Sequence, residues 1–461
     1  MTTDPVHWIA AGVAVVLWLI VCVAVAIASA RARRADRART QAFGGGGSDA
    51  TLIAYASQTG FAEELALMTA RALKDTGGAE AGLGARVVSF ADLELDMLTA
   101  AKRALFVVAT TGEGDAPDSA GRVLRRMLDR DAALPDLSYG MLALGDRSYK
   151  DYCGFAHVVD GWLMRSGATP LFDLVEVDDA DPEAIRHWQH QLNAITGSNA
   201  EPDWTPPSYD RWTLVERRLL NPGGPGGEAF HLAFEPIEHT PDWSAGDIVE
   251  IGVPSPEGDR PAAREYSIAS LPADGRLELL VRLMRHPDGT PGLASGWLTG
   301  QASLGDEVAM RVRVNRGFHG PATATPMILI GNGTGLAGLR GHLKARSLQN
   351  GAGDAWLMFG ERTAAHDAFH DAELKAWLAS GVLTRLDRTF SRDEGDGRYV
   401  QAVVAEQADE LRRWIDRGAA IYVCGSLEGM ASGVHAALEE ALGADRVIAL
   451  SEAGRYRRDV Y

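Results

Sequence analysis

The chain has 461 residues, 46% apolar and 23% charged, an ordinary balance for a protein that buries sizeable cores, and its length suggests two to three domains. Collagen-like, disordered and disulfide-scaffold classes are excluded; three cysteines, Cys22, Cys153 and Cys424, far apart and odd in number, fit a reducing compartment. A formal charge of −17 argues against a nucleic-acid binder, which needs a basic stripe against phosphates, and allows a basic protein partner.

The first 30 residues read as an anchor. Val6 to Ala30 is a run of 25 residues without a formal charge, and a helix of that length rises about 37 Å, enough for a hydrocarbon core of about 30 Å. RARRADRART follows, with five arginines against one aspartate, which predicts a single-pass membrane protein with its body in the cytoplasm. The rival is a signal peptide cleaved after Ala28-Ser29-Ala30; the missing basic residues before the run and its length weigh against that. Residues 31–49, ending in GGGGS, read as a tether.

Over residues 50–197, apolar runs alternate with amphipathic stretches: TLIAYA, a helix from Ala62 to Lys74, ALFVVAT, MLALG. That alternation predicts a parallel sheet covered by helices. Ligands of open α/β sheets bind at the carboxyl ends of strands, and three loops fall there. Ser57-Gln58-Thr59-Gly60-Phe61-Ala62 offers hydroxyls, backbone N–H groups and a helix start, which suit a phosphate; without the lysine and spacing of a triphosphate loop, a monophosphate is expected. Thr110-Thr111-Gly112-Glu113-Gly114-Asp115 and Leu144-Gly145-Asp146-Arg147-Ser148-Tyr149 are the other two. Each alone reads as turn chemistry; three in succession do not.

A polar, proline-rich linker spans 198–208. From 209 to 322 short alternating strands (HLAFEPI, DIVEIGV, LELLVRLM) predict an antiparallel barrel, and from 323 to 461 strands and helices alternate again. At the barrel's RxYS stretch, Arg264 is a candidate to grip a pyrophosphate, Tyr266 to stack on a planar cofactor and Ser267 to hydrogen-bond its reactive edge. Gly292-Leu293-Ala294-Ser295 opens a helix, a second place for an anion. Gly331-Asn332-Gly333-Thr334-Gly335 after the strand Met327 to Ile330 is a dinucleotide-type turn. No metal-ligand cluster is evident.

These features together resemble the diflavin reductases, a flavodoxin-like half fused to a ferredoxin-NADP reductase-like half. SQTGFAEE, TGEGD and LGDRSYKDYC are similar to that family's FMN loops, and the LGDxSYxxxC form is most similar to its sulfite reductase flavoprotein branch. The resemblance implies FMN, with Ser57, Thr59 and Gly60 at the phosphate, Tyr149 against the ring, Tyr152 and Cys153 in the same stretch, and Asp178 beside Asp179 near the flavin. Thr111 departs from the tyrosine that microsomal members carry there. AREYSIAS (Arg264, Glu265, Tyr266, Ser267) and GLASGWL are similar to the FAD motifs. GNGTGLAG is similar to the nicotinamide-nucleotide loop; Ser391, Arg392, Arg398, Tyr399 and Gln401 are similar to the parts that recognise the adenosine end, implying NADPH. The terminal Tyr461 matches an aromatic that stacks on flavin; Asp459 and Cys424, with Ser267, match residues that assist hydride transfer. Two further departures stand out. Only 15 residues separate Glu250 from Tyr266, so the family's connecting domain is absent, and Gly338 stands where proline is usual.

The implied function is transfer of hydride from NADPH to FAD, then of single electrons through FMN to a haem or iron–sulfur acceptor protein, one that the anchor would place at the membrane. Residues 51–200 carry 22 acidic and 13 basic side chains, a face suited to a basic acceptor. Two other readings stand beside it: a ferric or flavin reductase that uses FAD alone, and a membrane-tethered binding module whose flavodoxin-like half docks without FMN.

Overall fold

A computed structural model describes residues 50–76, 84–130, 132–147, 149–196, 208–239, 241–254 and 262–460. The anchor expected at 1–30, the tether at 31–49, most of the linker at 198–208, and Ser148 and Tyr461 lie outside the described residues. Among the described residues no helix is long and apolar enough to cross a membrane. The longest, Phe61–Thr76, has 16 residues and is studded with charge, whereas a span needs about 20 apolar ones. The expectation of a single-pass membrane protein, with a membrane partner and a cytoplasmic body, is corrected accordingly.

The first sheet contains β1 (Thr51–Ala56), β2 (Ala85–Ser89), β3 (Arg103–Ala109), β4 (Ser138–Gly145), β5 (Thr169–Pro170) and β6 (Val175–Asp178). Its order is β2-β1-β3-β4-β5, with β6 also on β4, and every pairing is parallel. Parallel strands are buried on both faces, and β4 (SYGMLALG) shows it: its six middle residues are all buried. Helices α1 (Phe61–Thr76) and α4 (Pro182–Thr196) cover one face, where Ala62, Leu65, Ala66, Leu73, Trp188 and Leu192 meet Ile53, Leu105 and Leu142. Helix α2 (Leu95–Ala100) and helix α3 (Gly154–Arg165) lie on the other, packed round Phe90, Phe106 and Phe155. Glu63 and Glu64 in the first turn of α1 and Lys74 in its last complement the helix dipole.

Six antiparallel strands follow: β7 (Asp210–Leu219), β8 (Ala229–Pro236), β9 (Ile248–Val253), β10 (Ala262–Ser267), β11 (Leu277–Arg282) and β12 (Glu307–Arg313), in the order β10-β9-β12-β7-β8-β11. The two ends approach beyond β10, where Ala269 N donates to Glu278 O at 2.8 Å, closing the sheet round Trp212, Phe234, Val249, Ile251 and Leu279. A short helix, α5 (Leu293–Gly296), caps it. Strands β9 and β10 pair directly from Val253↔Ala262 to Ile248↔Ser267, and the eight residues 254–261 that connect them are too few for an inserted domain.

The third sheet is parallel, in the order β15-β14-β13-β16-β17, made of β13 (Met327–Asn332), β14 (Ala355–Glu361), β15 (Arg385–Phe390), β16 (Ala420–Gly425) and β17 (Tyr456–Val460). Helices α6 (Leu336–Ser347), α7 (Asp371–Ser380), α8 (Val400–Glu406), α9 (Ala408–Asp416), α10 (Ser432–Leu442) and α11 (Ala444–Glu452) flank it, with a core on each face.

The first sheet's module is held to the other two by ion pairs. Arg311 donates to Glu64 at 2.8 Å, Arg316 pairs with Glu63, Arg458 Nε donates to Asp118 Oδ1 at 2.9 Å, and Arg264 donates to Asp179 at 2.9 Å. Gln58 Nε2 also donates to the Arg458 carbonyl at 2.8 Å.

Candidate functional site

The first sheet reverses its strand order between β1 and β3, where doubly wound folds bind ligands. A cavity of about 270 Å³ opens there. All three expected loops line it: Ser57, Gln58, Thr59, Phe61 and Ala62; Thr110, Thr111 and Gly112; and Leu144, Gly145, Asp146, Tyr149, Tyr152 and Cys153.

The first loop turns on Gly60, at φ +85°; its N–H donates to Ser57 Oγ at 2.8 Å, and an added Cβ would lie 2.6 Å from Val314 O of the barrel module. The Gln58 side chain accepts from Asp118 N at 3.0 Å. The second and third loops are pinned to each other. Glu113 accepts from Lys150 N at 3.1 Å, and Gly114 packs where a Cβ would lie 2.7 Å from Asp151 Cβ. Thr111 spends its hydroxyl on Asp115 O at 3.2 Å. Asp178 accepts from Arg147 N at 2.9 Å and so shapes the third loop, while its neighbour Asp179 lines the cavity. Cys153 takes a left-handed backbone (φ 54°) to start α3; burial raises its thiol to about 11 and Tyr152 to about 12. Thr110 Oγ1 is buried without a hydrogen-bond partner. A polar ligand in the cavity would satisfy it.

A second assembly lies where barrel and third sheet meet. Ser267, at the end of β10, donates to Asp459 Oδ2 at 2.6 Å, and Cys424 Sγ lies 3.6 Å from the same oxygen. All three are buried. Register brings Cys424 and Asp459 side by side on β16 and β17, while Ser267 comes from 192 residues upstream. Burial drives the Asp459 carboxyl above the usual carboxylate range and the Cys424 thiol well above its own.

The glycine turn explains itself by contact. A Cβ on Gly335 would lie 2.1 Å from Cys424 O and one on Gly331 2.6 Å from it, so Gly333-Thr334-Gly335 sits flush on the end of β16. Gly338, in the first turn of α6, faces Cys424 Sγ and the Phe318 ring, each 3.2 Å from its would-be Cβ.

The expected pyrophosphate residues are separately engaged. Arg264 is paired with Asp179, and Ser295 Oγ accepts from Met284 N at 3.1 Å. Tyr266 is half-buried, with its hydroxyl pushed up to about 12 by burial. Leu293 and Ala294 follow Gly292 in the first turn of α5, where N–H groups lack helical partners.

At the carboxyl ends of β14 and β15, Ser391 N donates to Glu361 O at 2.8 Å and Arg392 N to Arg362 O at 2.7 Å. The Arg392 side chain is exposed and has no carboxylate partner among the described residues. Arg398, by contrast, is already held by Asp396 at 2.7 Å and by Glu406. Tyr399 is 60% exposed, and Gln401 packs against Gly433.

Two family models match parts of the chain. The flavodoxin family matches residues 53–188, and the oxidoreductase NAD-binding domain family matches residues 329–436. The sulfite reductase (NADPH) flavoprotein alpha-component of Vibrio vulnificus is 26% identical over 540 aligned positions, covering 89% of this chain and 87% of the relative. Its counterpart in Bacillus subtilis is 27% identical, covering 89% of each, and that of Vibrio parahaemolyticus is 28% identical, covering 89% and 86%. These matches over both halves support a diflavin reductase family. An alignment of 540 positions exceeds the 461 residues here, so these relatives carry inserted segments that this chain lacks. The eight-residue connection between β9 and β10 is one place where it does without an insert.

Four participants escaped the sequence reading: Arg311, Arg313, Arg458 and Asp118, which join the modules. The alternation Arg311, Arg313 on one strand was a visible signal, since charges at period two on a barrel strand face something outside the barrel core.

Proposed function

We propose that this NADPH-dependent oxidoreductase holds FMN in the cavity of the first module and FAD against Tyr266, and delivers electrons to a separate protein carrying haem or an iron centre. Its cofactors are FMN, FAD and NADPH. When bound, the two flavins convert a hydride pair into single electrons, which haem and iron–sulfur acceptors take one at a time.

The observation that carries the reading is the Ser267–Asp459 bond, a barrel hydroxyl and a third-sheet carboxylate meeting at 2.6 Å with Cys424 beside them. The Asp459 carboxylate orients the Ser267 hydroxyl, and the closed packing round both excludes water from the place where nicotinamide and flavin would meet. The buried Cys424 stays a thiol, a weak donor and a small packing group. Gly338 packs closely on this cluster: a Cβ there would lie 3.2 Å from Cys424 Sγ and 3.5 Å from Asp459 Oδ2. Arg392 and Ser391 would hold a 2′-phosphate, the guanidinium bidentately. The donors round the cavity, with the orphaned Thr110 hydroxyl, fit a flavin mononucleotide. For a pyrophosphate, Arg264 would have to leave Asp179.

Flavin release and quantitation from the full chain tests the reading. FMN and FAD near one each, together with NADPH-driven one-electron reduction of a haem protein that stops when FMN is removed, is the expected result. FAD alone would leave the first module as a docking domain and the protein as an FAD-only ferric or flavin reductase.

A further inference from the structure

One side chain in the cavity does not come from the first module. Glu265, on β10 of the barrel, lines the same space as the three loops. Its side chain is 35% exposed. Arg313 donates to it from Nη1, and the same guanidinium donates from Nη2 to the Thr59 carbonyl at 3.2 Å. Through that guanidinium the Glu265 carboxylate is tied to the backbone of the 57–60 loop. Next to it, the Arg264–Asp179 pair clamps β10 onto the cavity rim.

The local charge does not balance. Arg313 serves Glu265 and also Glu250, at 3.3 Å; Arg311 serves Glu250, at 2.9 Å, and Glu64. Two guanidiniums thus face three carboxylates, with the excess negative charge beside the loop 57–60. Thr59 is a residue to which the proposed function gives the FMN phosphate, and the inference rests on that reading. A carboxylate and a phosphate held at one loop in one cavity repel each other.

We propose that Glu265 competes with the FMN phosphate for the 57–60 loop, so that seating the barrel on the first module and retaining FMN oppose each other. Linkage makes the effect reciprocal: by whatever factor the seated Glu265 weakens FMN, bound FMN weakens the seating. A loaded loop therefore releases the barrel more readily than an empty one, which opens the cavity to an outside acceptor preferentially in the loaded protein.

The test uses the full chain stripped of flavin and titrated with FMN or riboflavin, followed by flavin fluorescence, for the parent and Glu265→Gln. Riboflavin lacks the phosphate, so it reports the ring pocket and folding alone. Glu265→Gln is expected to tighten FMN about tenfold, the scale of one charge pair several ångströms apart at a protein surface, and to leave riboflavin within about twofold. FMN affinity unchanged or weakened overturns the competition and leaves the FMN assignment standing. Equal tightening of both ligands overturns it as well, because the phosphate would then play no part. If neither protein binds FMN, the FMN assignment fails and takes the competition with it.

Discussion

Asp459 shows how one buried carboxyl can be costly to the fold and useful to the site. Burial raises its pKa, with the Ser267 and Cys424 hydrogen bonds pulling the other way. The folded state therefore binds a proton more tightly than the unfolded chain does. Its stability falls as pH rises from the ordinary carboxylate range through the raised value. Asp459→Asn removes that penalty, so the variant should melt above the parent at pH 8, with the gap closing toward pH 5, in a thermal unfolding series. The same change should slow NADPH-driven flavin reduction about 10²-fold in stopped flow, since the Ser267 hydroxyl loses its orienting carboxylate. A parent-like rate would remove Asp459 from the hydride-transfer site. At the other end of the nucleotide site, Arg392→Ala should raise the KM for NADPH by tenfold or more and barely change that for NADH, because only the phosphate pairs with a guanidinium. Equal effects on the two would sink the 2′-phosphate assignment.

At the scale of elements, β17 is a strand with two duties. Period-two alternation sends Asp459 inward to Ser267 and Cys424, and Arg458 outward to Asp118 and, through its carbonyl, to Gln58. The Ser267–Cys424–Asp459 cluster and the seat of the first module are thus one residue apart. Arg458→Gln should enlarge the population of separated modules about tenfold, seen as a larger radius by small-angle scattering with unchanged circular dichroism. An unchanged radius would mean that the remaining ion pairs suffice. Much of this element-level picture was legible beforehand. The three loops at strand ends, the glycine turn and the RxYS strand follow from local patterns, and the structure brings their residues to one cavity and one cluster. The engagements of Arg264 with Asp179, and of Arg398 with Asp396 and Glu406, were not legible. A local pattern supplies a guanidinium at a strand end but not the carboxylate that reaches it from elsewhere in the chain.

At the scale of the whole molecule, the barrel and third sheet share an apolar core, while among the described residues several ion pairs join the first module to them. Several of the pairs are partly exposed, including Arg264–Asp179 at 44% and 58%. Raising ionic strength from 0.01 M to 1 M shortens the Debye length from about 30 Å to about 3 Å. The scattering radius should grow over that range, and turnover with a basic protein acceptor should fall as its attraction to the acidic first module is screened. A flat response in both measurements would argue for an apolar seat and a small-molecule acceptor.

The sequence by itself determined the alternation of strands and helices, the loops at their carboxyl ends and the residue types each site needs, because these depend on spacing and backbone chemistry over a few residues. Tertiary structure alone decided which partners those residues meet. Ser267 and Asp459 are 192 residues apart, and Gln58 and Arg458 are 400 apart. No local rule specifies such a contact; it arises only when three sheets pack, each burying its own apolar face, and leave their polar edges to find one another.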